Sequence, residues 1–164
     1  MAAKKGKVEK EGGRLVVATH RQARHNYHID DTFEAGIVLT GTEVKSLRRG
    51  LANLRDSYAL IRDGEVWLYN LHISPYPFGN RFNHEPTRTR KLLLHKDEIR
   101  RLTGKLKESG VTLVPLRIYF NERGIAKVEM ALARGKKKWD KREAIARRDE
   151  QRQIERALKD RQRS

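Results

Sequence analysis

The chain has 164 residues, a formal net charge of +16 and no cysteine. This length suits one compact domain with tails, and the lack of cysteine excludes disulfides, thiol nucleophiles and cysteine-containing zinc sites. No stretch approaches the ~20 apolar residues of a membrane span, and no apolar signal peptide opens the sequence, so we expect a soluble protein of a reducing cytoplasm. So large a positive surplus predicts a polyanionic partner.

The charge is unevenly distributed and indicates three parts of the chain. Residues 1–14 hold five basic residues, two acidic residues and three glycines, so we expect a flexible basic leader there. Residues 15–133 carry nearly all the large apolar residues and are predicted to form the domain. Residues 134–164 hold 13 basic and six acidic residues with too little apolar surface for a core, which predicts a basic tail.

Within the domain, the periodicity is mostly that of strands. The first is a long strand from Ile29 to Leu39, which we expect to be bent or bulged at Gly36. Two hairpins follow, each marked by a turn sequence between apolar runs. They are residues 56–61 and 66–71 around Arg62-Asp63-Gly64-Glu65, and residues 111–120 and 125–133 around Asn121-Glu122-Arg123-Gly124.

Helical signals are fewer and fall at residues 19–27, 42–49 and 95–108. The last is the clearest, because Ile99, Leu102 and Leu106 share one helical face. Short strands with turns and helices between them predict a mainly β protein, an OB-fold-like closed antiparallel β-barrel with about three short helices and a basic C-terminal tail. A β-sandwich or an α+β sheet is the alternative that the pattern leaves open.

The histidines offer one arrangement that a metal could use. His20, His25 and His28 have suitable spacings, and Asp30 and Asp31 could add oxygen ligands. His25 and His28 cannot share a helical face with His20 and also lie on the strand that begins near residue 27, so we interpret them as exposed histidines of a basic surface. The sequence also lacks a phosphate loop, a nucleophile motif and clustered carboxylates, so we predict no metal, no cofactor and no enzyme activity.

Two segments mix basic side chains with flat rings, as nucleic-acid-binding proteins do. The first comprises Arg21, Arg24, His25 and Tyr27, and the second is residues 76–91. Guanidinium groups suit phosphates, and arginine planes or aromatic rings stack on unpaired bases. The alternative is a solvated basic loop whose aromatic residues pack into the barrel. Together the two segments favour RNA or DNA binding, and composition does not distinguish the two.

Five blocks of the sequence, in order and with matching gaps, are similar to one protein family. They are FEAGIVLTGTEVKSLRRG (33–50), NLRDSY (53–58), EPTRTRKLLLH (85–95), VPLRIYF (114–120) and GKKKWDKR (135–142). From about residue 15 to its end, the chain resembles the SsrA-binding proteins (small protein B), the bacterial partners of transfer-messenger RNA.

The resemblance implies an OB-fold β-barrel and an RNA-binding adaptor without catalytic activity. Such proteins bind the tRNA-like domain of transfer-messenger RNA, aid its delivery with elongation factor Tu and its alanyl charging, and bring it to stalled ribosomes for trans-translation. They mimic the codon–anticodon part of tRNA, and the tail probes the empty mRNA channel beside the decoding centre. The expected partners are therefore transfer-messenger RNA and the ribosome, with elongation factor Tu and alanyl-tRNA synthetase engaged only through the RNA. We expect a monomer.

The resemblance also implies an RNA-contacting surface, formed by Arg24, His25, Tyr27, Glu34, Lys45, Arg88, Lys91 and Leu93. We add Arg90 from the second basic segment, and His20 and Arg21 from a position where the family often has Asn followed by basic residues. Glu34 would accept hydrogen bonds from base amino groups or a 2′-hydroxyl, or else pair with a neighbouring arginine. Leu93 would contact a base or sugar, or else belong to the barrel core.

For the tail, the resemblance implies ribosome contacts by Lys136, Lys137, Lys138, Trp139, Asp140, Lys141, Arg142, Arg148, Arg152, Ile154, Arg156 and Leu158. Trp139 stands where the family often has His, and it keeps a stacking surface but cannot change charge near neutral pH. Helix-forming residues predominate, and arginine recurs every four residues at positions 148, 152 and 156, yet large apolar residues are few. We therefore predict that residues 136–160 are disordered in the free protein and helical against RNA.

Two other functions stay open at this point. A basic ribosomal or ribosome-assembly protein would bind rRNA with an OB-like domain and a threading tail. An RNA-modifying or RNA-cleaving enzyme would use His25 and Glu34 as acid and base.

Overall fold

A computed structural model of the chain describes residues 7–79, 84–136 and 138–163, with side chains of the last range described from residue 145 onward. The elements of these ranges are mainly strands. They are β1 (Glu9–Glu11), β2 (Arg14–Thr19), α1 (Ala23–Asn26), β3 (Tyr27–Ile37), α2 (Gly41–Arg48), β4 (Ala52–Asn53), β5 (Tyr58–Arg62), β6 (Glu65–Tyr69), β7 (His72–Ile73), β8 (Arg90–Leu93), α3 (Lys96–Leu106), β9 (Val111–Phe120), β10 (Ala126–Gly135) and α4 (Lys138–Arg163).

Most of the strands join one antiparallel sheet, whose order is β1-β2-β9-β10-β3-β8-β6-β5. Ala59 of β5 also pairs with Leu113 of β9, so the strands from β9 to β5 form a closed circuit of hydrogen-bonded neighbours. The short strands β4 and β7 pair with each other. The circuit encloses the main core, in which Leu68, Leu92 and Val128 are fully or almost fully buried.

A smaller core cluster fixes the position of α1. Ala23 of α1 is completely buried in a cluster with Val114, Leu116, Ala131 and Ala133, and Tyr27 and Ile29 pack against it. Small residues allow the short helix to approach the sheet closely, and the burial of its one apolar residue stabilises it there. The helix thereby fixes the start of β3.

The two predicted hairpins are present at nearly the predicted positions. In the turn between β5 and β6, Asp63 has a φ angle of 52° and Gly64 has a φ angle of 73°. A two-residue hairpin turn whose twist matches that of its strands requires positive φ angles at both central residues. The β9–β10 turn is tied by Asn121, whose side-chain oxygen accepts from the backbone N–H groups of Arg123 (3.1 Å) and Ile125 (2.9 Å).

The sheet begins earlier and ends later than the sequence predicts. Glu9–Glu11 pairs with β2 through a turn at Gly12 and Gly13, whose φ angles are 52° and 78°, so the leader is part of the sheet from Glu9. The prediction missed β1 because its three residues are charged and exposed, without alternating apolar positions. At the other end, β10 continues to Gly135, two positions beyond the predicted domain end at residue 133.

The predicted bulge of β3 lies at a different residue. Asp31 pairs with Leu132 and Ile29 pairs with Ala133, so Asp30 has no partner on β10 and forms the bulge. Gly36 pairs regularly with β10, so the bulge is not at Gly36. At Gly36 a Cβ atom would lie 3.2 Å from the Cβ of Leu93 on β8. Glycine therefore permits the close approach of β8 to β3.

The three helices predicted within the domain correspond to α1, α2 and α3. The N-terminus of α2 is closed by a capping box, in which Thr40 N–H donates to Glu43 Oε1 (3.0 Å) and Glu43 N–H donates to Thr40 Oγ1 (3.5 Å). In the tail, residues 138–163 form α4. That the same segment is disordered without RNA stays a prediction.

Candidate nucleic-acid interface

The first predicted basic segment forms a corner around α1. His20 anchors this corner, because its Nδ1 lies 3.0 Å from the carbonyl oxygen of Pro115 and its backbone N–H donates to Leu116 O (2.7 Å). A carbonyl oxygen only accepts, so the imidazole donates from Nδ1. Arg21 and Arg24 are exposed beside it. The corner therefore presents two guanidinium groups on an anchored backbone.

The aromatic part of this corner is less accessible. His25 and Tyr27 are half-buried, and Tyr27 packs against the small core cluster around Ala23. The tail begins at the same place, because Lys136 N–H donates to Asn26 O (3.0 Å) and Lys136 Nζ donates to Arg24 O (2.9 Å). The start of the tail and the first predicted RNA-contacting segment therefore share one corner of the molecule.

A second group of predicted residues lies on the outer surface of β3 and β8, which we call the β3–β8 face: Glu34, Lys91 and Leu93. Glu34 is exposed, as expected for its place in the alternating strand. Gly36 is in register with Leu93, and Val38 N–H donates to Lys91 O (3.0 Å), so the three residues lie on neighbouring strands. Leu93 is 52% exposed, so it does not belong to the core. It offers an exposed apolar surface on the strand next to that of Glu34.

Tyr119 of β9 orients the Glu34 carboxylate. Its phenol donates a hydrogen bond to Glu34 Oε2 across the intervening strand β10. Burial, reinforced by this hydrogen bond, raises the pKa of Tyr119 well above its ordinary value of 10.0, so the phenol stays protonated and continues to donate. The alternative prediction, a salt bridge of Glu34 with an arginine, is wrong, because the partner is this phenol. The lone pairs of the carboxylate that the phenol does not occupy are able to accept from RNA.

Two arginines lie close to Tyr119, and one of them, Arg117, is engaged by acidic side chains. The guanidinium carbons of Arg14 and Arg117 lie 4.8 Å and 5.5 Å from the centre of its ring. Arg117 donates to Glu129 and, over 2.9 Å, to Glu11. Burial opposes the charge of Arg117, but these two carboxylates raise its pKa overall. The arginines therefore hold the ring and balance local acidic charge.

The third group surrounds a buried carboxylate, Glu43 of α2. Arg88 donates to its Oε1 over 2.5 Å, and Arg90 Nε donates to its Oε2. Arg90 has no exposed surface, and its remaining donors reach Leu71 O (2.6 Å) and Pro86 O (3.0 Å). The prediction that Arg90 contacts RNA is therefore wrong. Arg90 instead ties α2 to both ends of the segment between Leu71 and Pro86.

The charge of Glu43 is maintained by these partners. Burial by itself would raise the pKa of Glu43, but hydrogen bonds from Arg88 and the Thr40 N–H, together with the charge and hydrogen bond of Arg90, lower it below the ordinary value of 4.5. Arg88 keeps a third of its side chain exposed while it pairs with Glu43, and Lys45 of α2 is exposed. Arg88 and Lys45 are thus the accessible cations of this group.

On the β3–β8 face, Lys91 is restrained by an ion pair. Its Nζ lies 2.7 Å from Glu65 Oε1 on the neighbouring strand β6, with about a third of the lysine side chain exposed. A phosphate that approached Lys91 would compete with this carboxylate. Glu65 therefore offsets part of the positive charge that Lys91 would offer to a phosphate.

Several residues of this surface were missed by the sequence prediction. Tyr119, Arg14 and Arg117 lie far from Glu34 along the chain, and only the pairing of β2, β9, β10 and β3 brings them to its side. The alternation of apolar and polar residues in residues 114–120 was a signal for a strand, but it gave no register. Glu43 was overlooked because a single acidic residue among basic ones resembles a solvated surface.

The predicted tail residues divide by what the structure describes. The side chains of Arg148, Arg152, Ile154, Arg156 and Leu158 are exposed on α4. Lys137 lies outside the described residues, as do the side chains of Lys138, Trp139, Asp140, Lys141 and Arg142. At helical spacing the three arginines form one row and the two apolar residues form another on a different face, and the exposed arginine row suits an anionic partner.

Within the described ranges, no three His, Asp or Glu side chains gather as metal ligands. His20, the first member of the predicted set, is committed to the Pro115 carbonyl. Among the helices of these ranges, none is both long and apolar enough to cross a membrane.

Comparison with known proteins places this geometry in context. Residues 17–160 match the family model of the SmpB protein. The SsrA-binding protein of Moorella thermoacetica is 63% identical over 147 residues, which cover 90% of this chain and 95% of that protein. The SsrA-binding protein of Desulforamulus reducens is 58% identical over 156 residues, covering 95% of this chain and 97% of the relative.

A solved structure agrees with these sequence matches. A chain of the structure described as "tmRNA-SmpB: a journey to the center of the bacterial ribosome" is 56% identical, with a TM-score of 0.64. The match covers 77% of this chain and 92% of the other.

Proposed function

Because the chain belongs to the SmpB family of SsrA-binding proteins, we propose that it binds the tRNA-like domain of transfer-messenger RNA and delivers this RNA to stalled ribosomes. It acts as an adaptor in trans-translation and catalyses no reaction. The observation that carries the proposal is the β3–β8 face, where the half-exposed Leu93 and the oriented carboxylate of Glu34 lie on neighbouring strands. Such a pair suits the base edges, 2′-hydroxyls and sugars of RNA better than it suits a bare phosphate backbone.

The fold that we propose for this function is an OB-fold-like closed barrel. The closed circuit of pairings from β9 to β5 supports this fold, because closure leaves no free edge between those strands. In small barrels of this type the outer surface and loops bind oligonucleotides, while side chains fill the interior. The β3–β8 face, the α1 corner and the exposed cations of α2 would then form the RNA-contacting surface.

The proposed contacts have different tasks. Arg21, Arg24, Lys45 and Arg88 neutralise phosphates and fix the position of the RNA. His25, Tyr27, Glu34 and Leu93 recognise its shape and unpaired groups, and His20 fixes the corner backbone. Lys91 takes part once RNA displaces Glu65. The protein is a cytoplasmic monomer, and elongation factor Tu and alanyl-tRNA synthetase engage it only through the shared RNA.

The tail supplies the contact with the ribosome. We infer that α4 lies in the vacant mRNA channel, with arginines 148, 152 and 156 facing its phosphate-lined wall and residues 136–142 near the decoding centre. The described side chains of α4, from residue 145 to 163, are exposed, so we infer that this helix depends on its partner.

Ile154→Pro tests the tail because it keeps every charge and disfavours the helix by about 3 kcal/mol. We expect ribosome rescue to be lost while transfer-messenger RNA is still bound. A variant with residues 143–160 scrambled keeps composition and charge and serves as the second test. Rescue at the native rate by either variant would contradict folding of the tail on the ribosome.

The RNA-binding proposal is tested by Leu93→Asp and its matched control Leu60→Asp. Both leucines are exposed on strands, at 52% and 40%, and both changes add one negative charge. We expect Leu93→Asp alone to weaken binding of the tRNA-like RNA, while binding of random RNA is unchanged relative to the control. Thermal unfolding of both variants verifies their folding.

The identity of the RNA is settled by capture of the protein from cells and sequencing of the bound RNA. One dominant tRNA-like species supports the proposal. A set of rRNA fragments without that species would instead indicate a ribosomal or ribosome-assembly protein.

A further inference from the structure

One exposed aromatic group has no place in the surface described so far. Phe78 lies on the segment between β7 and β8 and is 73% exposed. It meets Tyr76 edge to face, with ring centres 5.5 Å apart and planes at 70°. Together the two rings give this segment an aromatic surface that remains open to a partner.

Cations from α2 and the residue after it accompany both rings. Lys45 Nζ lies 5.5 Å from the centre of the Tyr76 ring, and the guanidinium carbon of Arg49 lies 5.8 Å from the centre of the Phe78 ring. Cations near aromatic faces are attracted by the ring electrons. Each aromatic surface is thus paired with a positive charge.

Between α2 and this segment lies a groove of about 410 Å³, which we call the aromatic groove. A groove of this size accommodates one nucleotide. None of the described residues that line it is acidic: Thr40, Gly41, Thr42, Lys45, Tyr76, Phe78, Gly79 and His84. Flat apolar walls with positive charge and polar groups at the rim are complementary to a base joined to a phosphate.

A buried ion pair connects the two elements that flank the groove. Arg90 donates to Leu71 O and Pro86 O, at the two ends of the segment that carries Tyr76 and Phe78. Glu43, which binds Arg90, belongs to α2, the opposite wall. The ends of the segment that carries the two rings are therefore joined to α2 through one buried side-chain pair.

We propose that the aromatic groove binds one unpaired nucleotide of single-stranded RNA. Its base stacks on Phe78 and meets Tyr76 edge to face, and its phosphate lies near Lys45 and Arg49. The inference rests on the proposed function, because that function identifies the polyanionic partner as RNA. It adds a second contact, separate from the β3–β8 face, that recognises an unpaired base through stacking without a strict sequence requirement.

The test uses full-length protein and a short single-stranded oligoadenylate, with an abasic oligonucleotide of equal length as its counterpart. Stacking on one aromatic residue is worth about 5- to 100-fold in affinity. We expect wild-type protein to prefer the oligoadenylate by a factor in this range. Phe78→Leu keeps an apolar side chain but removes the ring and should abolish the preference, and Phe78→Trp should restore it.

The matched control is Ile125→Ala, which removes a half-exposed apolar side chain from the β9–β10 turn and should leave the preference intact. Equal binding of the two oligonucleotides by wild-type protein would overturn the inference. So would a Phe78→Leu variant that retains the preference. These measurements use neither the tRNA-like RNA nor the ribosome. A negative result would therefore overturn the inference about the groove without contradicting the proposed function.

Two further arms identify the source of the nucleotide. Phe78→Leu is measured against the tRNA-like domain of transfer-messenger RNA and against small ribosomal subunits. Weakened binding to the first assigns the groove to transfer-messenger RNA, and weakened binding to the second assigns it to rRNA. Unchanged binding to both would overturn the role of the groove in the proposed function.

Discussion

Two glutamates of the chain, Glu34 and Glu43, are only nine positions apart in sequence but have opposite surroundings in the fold. Glu43 is buried on α2 and accepts from Arg88 and Arg90. Glu34 is exposed on β3 and accepts from the phenol of Tyr119. The buried carboxylate joins parts of the protein, whereas the exposed one keeps accepting capacity for a partner. Burial and the type of partner, rather than the residue type, decide whether a glutamate stabilises the fold or remains available to bind RNA.

The energetic consequences of the two arrangements also differ. Removal of one member of a buried ion pair leaves an uncompensated charge in a poorly solvated place. An exposed carboxylate with a neutral donor is hydrated when its partner is lost. Substitutions at the first site should therefore act on stability, and those at the second on RNA binding.

The largest expected effect follows from Glu43→Gln. The change leaves Arg88 and Arg90 without a counter-charge, so we expect the free energy of unfolding to fall by about 3–5 kcal/mol. Denaturant unfolding followed by circular dichroism measures it. The control is Glu129→Gln, which breaks the partly exposed pair with Arg117 and should cost about 1 kcal/mol or less. Equal losses in the two variants would contradict the distinction.

Acid should remove part of the same stabilisation. The pKa of Glu43 is lowered in the folded protein from an ordinary value of 4.5. The unfolded chain therefore takes up the proton first, and the stabilisation is present above the ordinary pKa and lost as the pH falls through the lowered one. We expect wild-type protein to lose more stability than Glu43→Gln between about pH 6 and pH 3, with unfolding free energies measured at each pH. Parallel pH profiles would show that Glu43 does not contribute.

How far the sequence predicts this molecule depends on the range of the interactions. Local signals predicted the Asp63-Gly64 turn, the β9–β10 hairpin and the positions of α2 and α3, because turn chemistry, capping and periodicity are properties of short segments. β1 was missed, and a bend or bulge was expected at Gly36, whereas the bulge lies at Asp30. Both depend on which residues face each other across the sheet, and a sequence alone does not specify this register.

The same limit applies to the interface. Charge and aromatic content indicated a nucleic acid, and the family resemblance pointed to RNA and to Glu34 and Leu93, both of which prove accessible. Arg90 was assigned to the RNA surface because it stands among other basic residues, whereas the fold buries it against Glu43. Tyr119 was overlooked because its contact with Glu34 spans two strand pairings. Long-range packing decides which charged side chains remain available to a partner.

A smaller effect is expected from Tyr119→Phe, which keeps the ring between Arg14 and Arg117 but removes the donor to Glu34. A freed carboxylate has more orientations to lose on binding, so affinity for the tRNA-like RNA should fall about 3- to 10-fold, the equivalent of one hydrogen bond. A double-mutant cycle with Glu34→Gln isolates the coupling. If Tyr119→Phe costs as much affinity in the Glu34→Gln background as in the wild type, Tyr119 does not act through Glu34.

The smallest effect concerns a third glutamate, Glu65, which holds Lys91 at the edge of the β3–β8 face. Both side chains are more than a third exposed, so Glu65→Gln should change the free energy of unfolding by only about 0.5 kcal/mol. The variant also removes one negative charge that competes with RNA phosphate for Lys91. We therefore expect affinity for the tRNA-like RNA to rise about twofold at low salt and the gain to diminish as salt increases, because exposed charges are screened. Binding isotherms at several salt concentrations measure it, with Asp63→Asn in the adjacent turn as a control for net charge. If both variants gain equally, the effect is one of overall charge, and Lys91 is not restrained by Glu65.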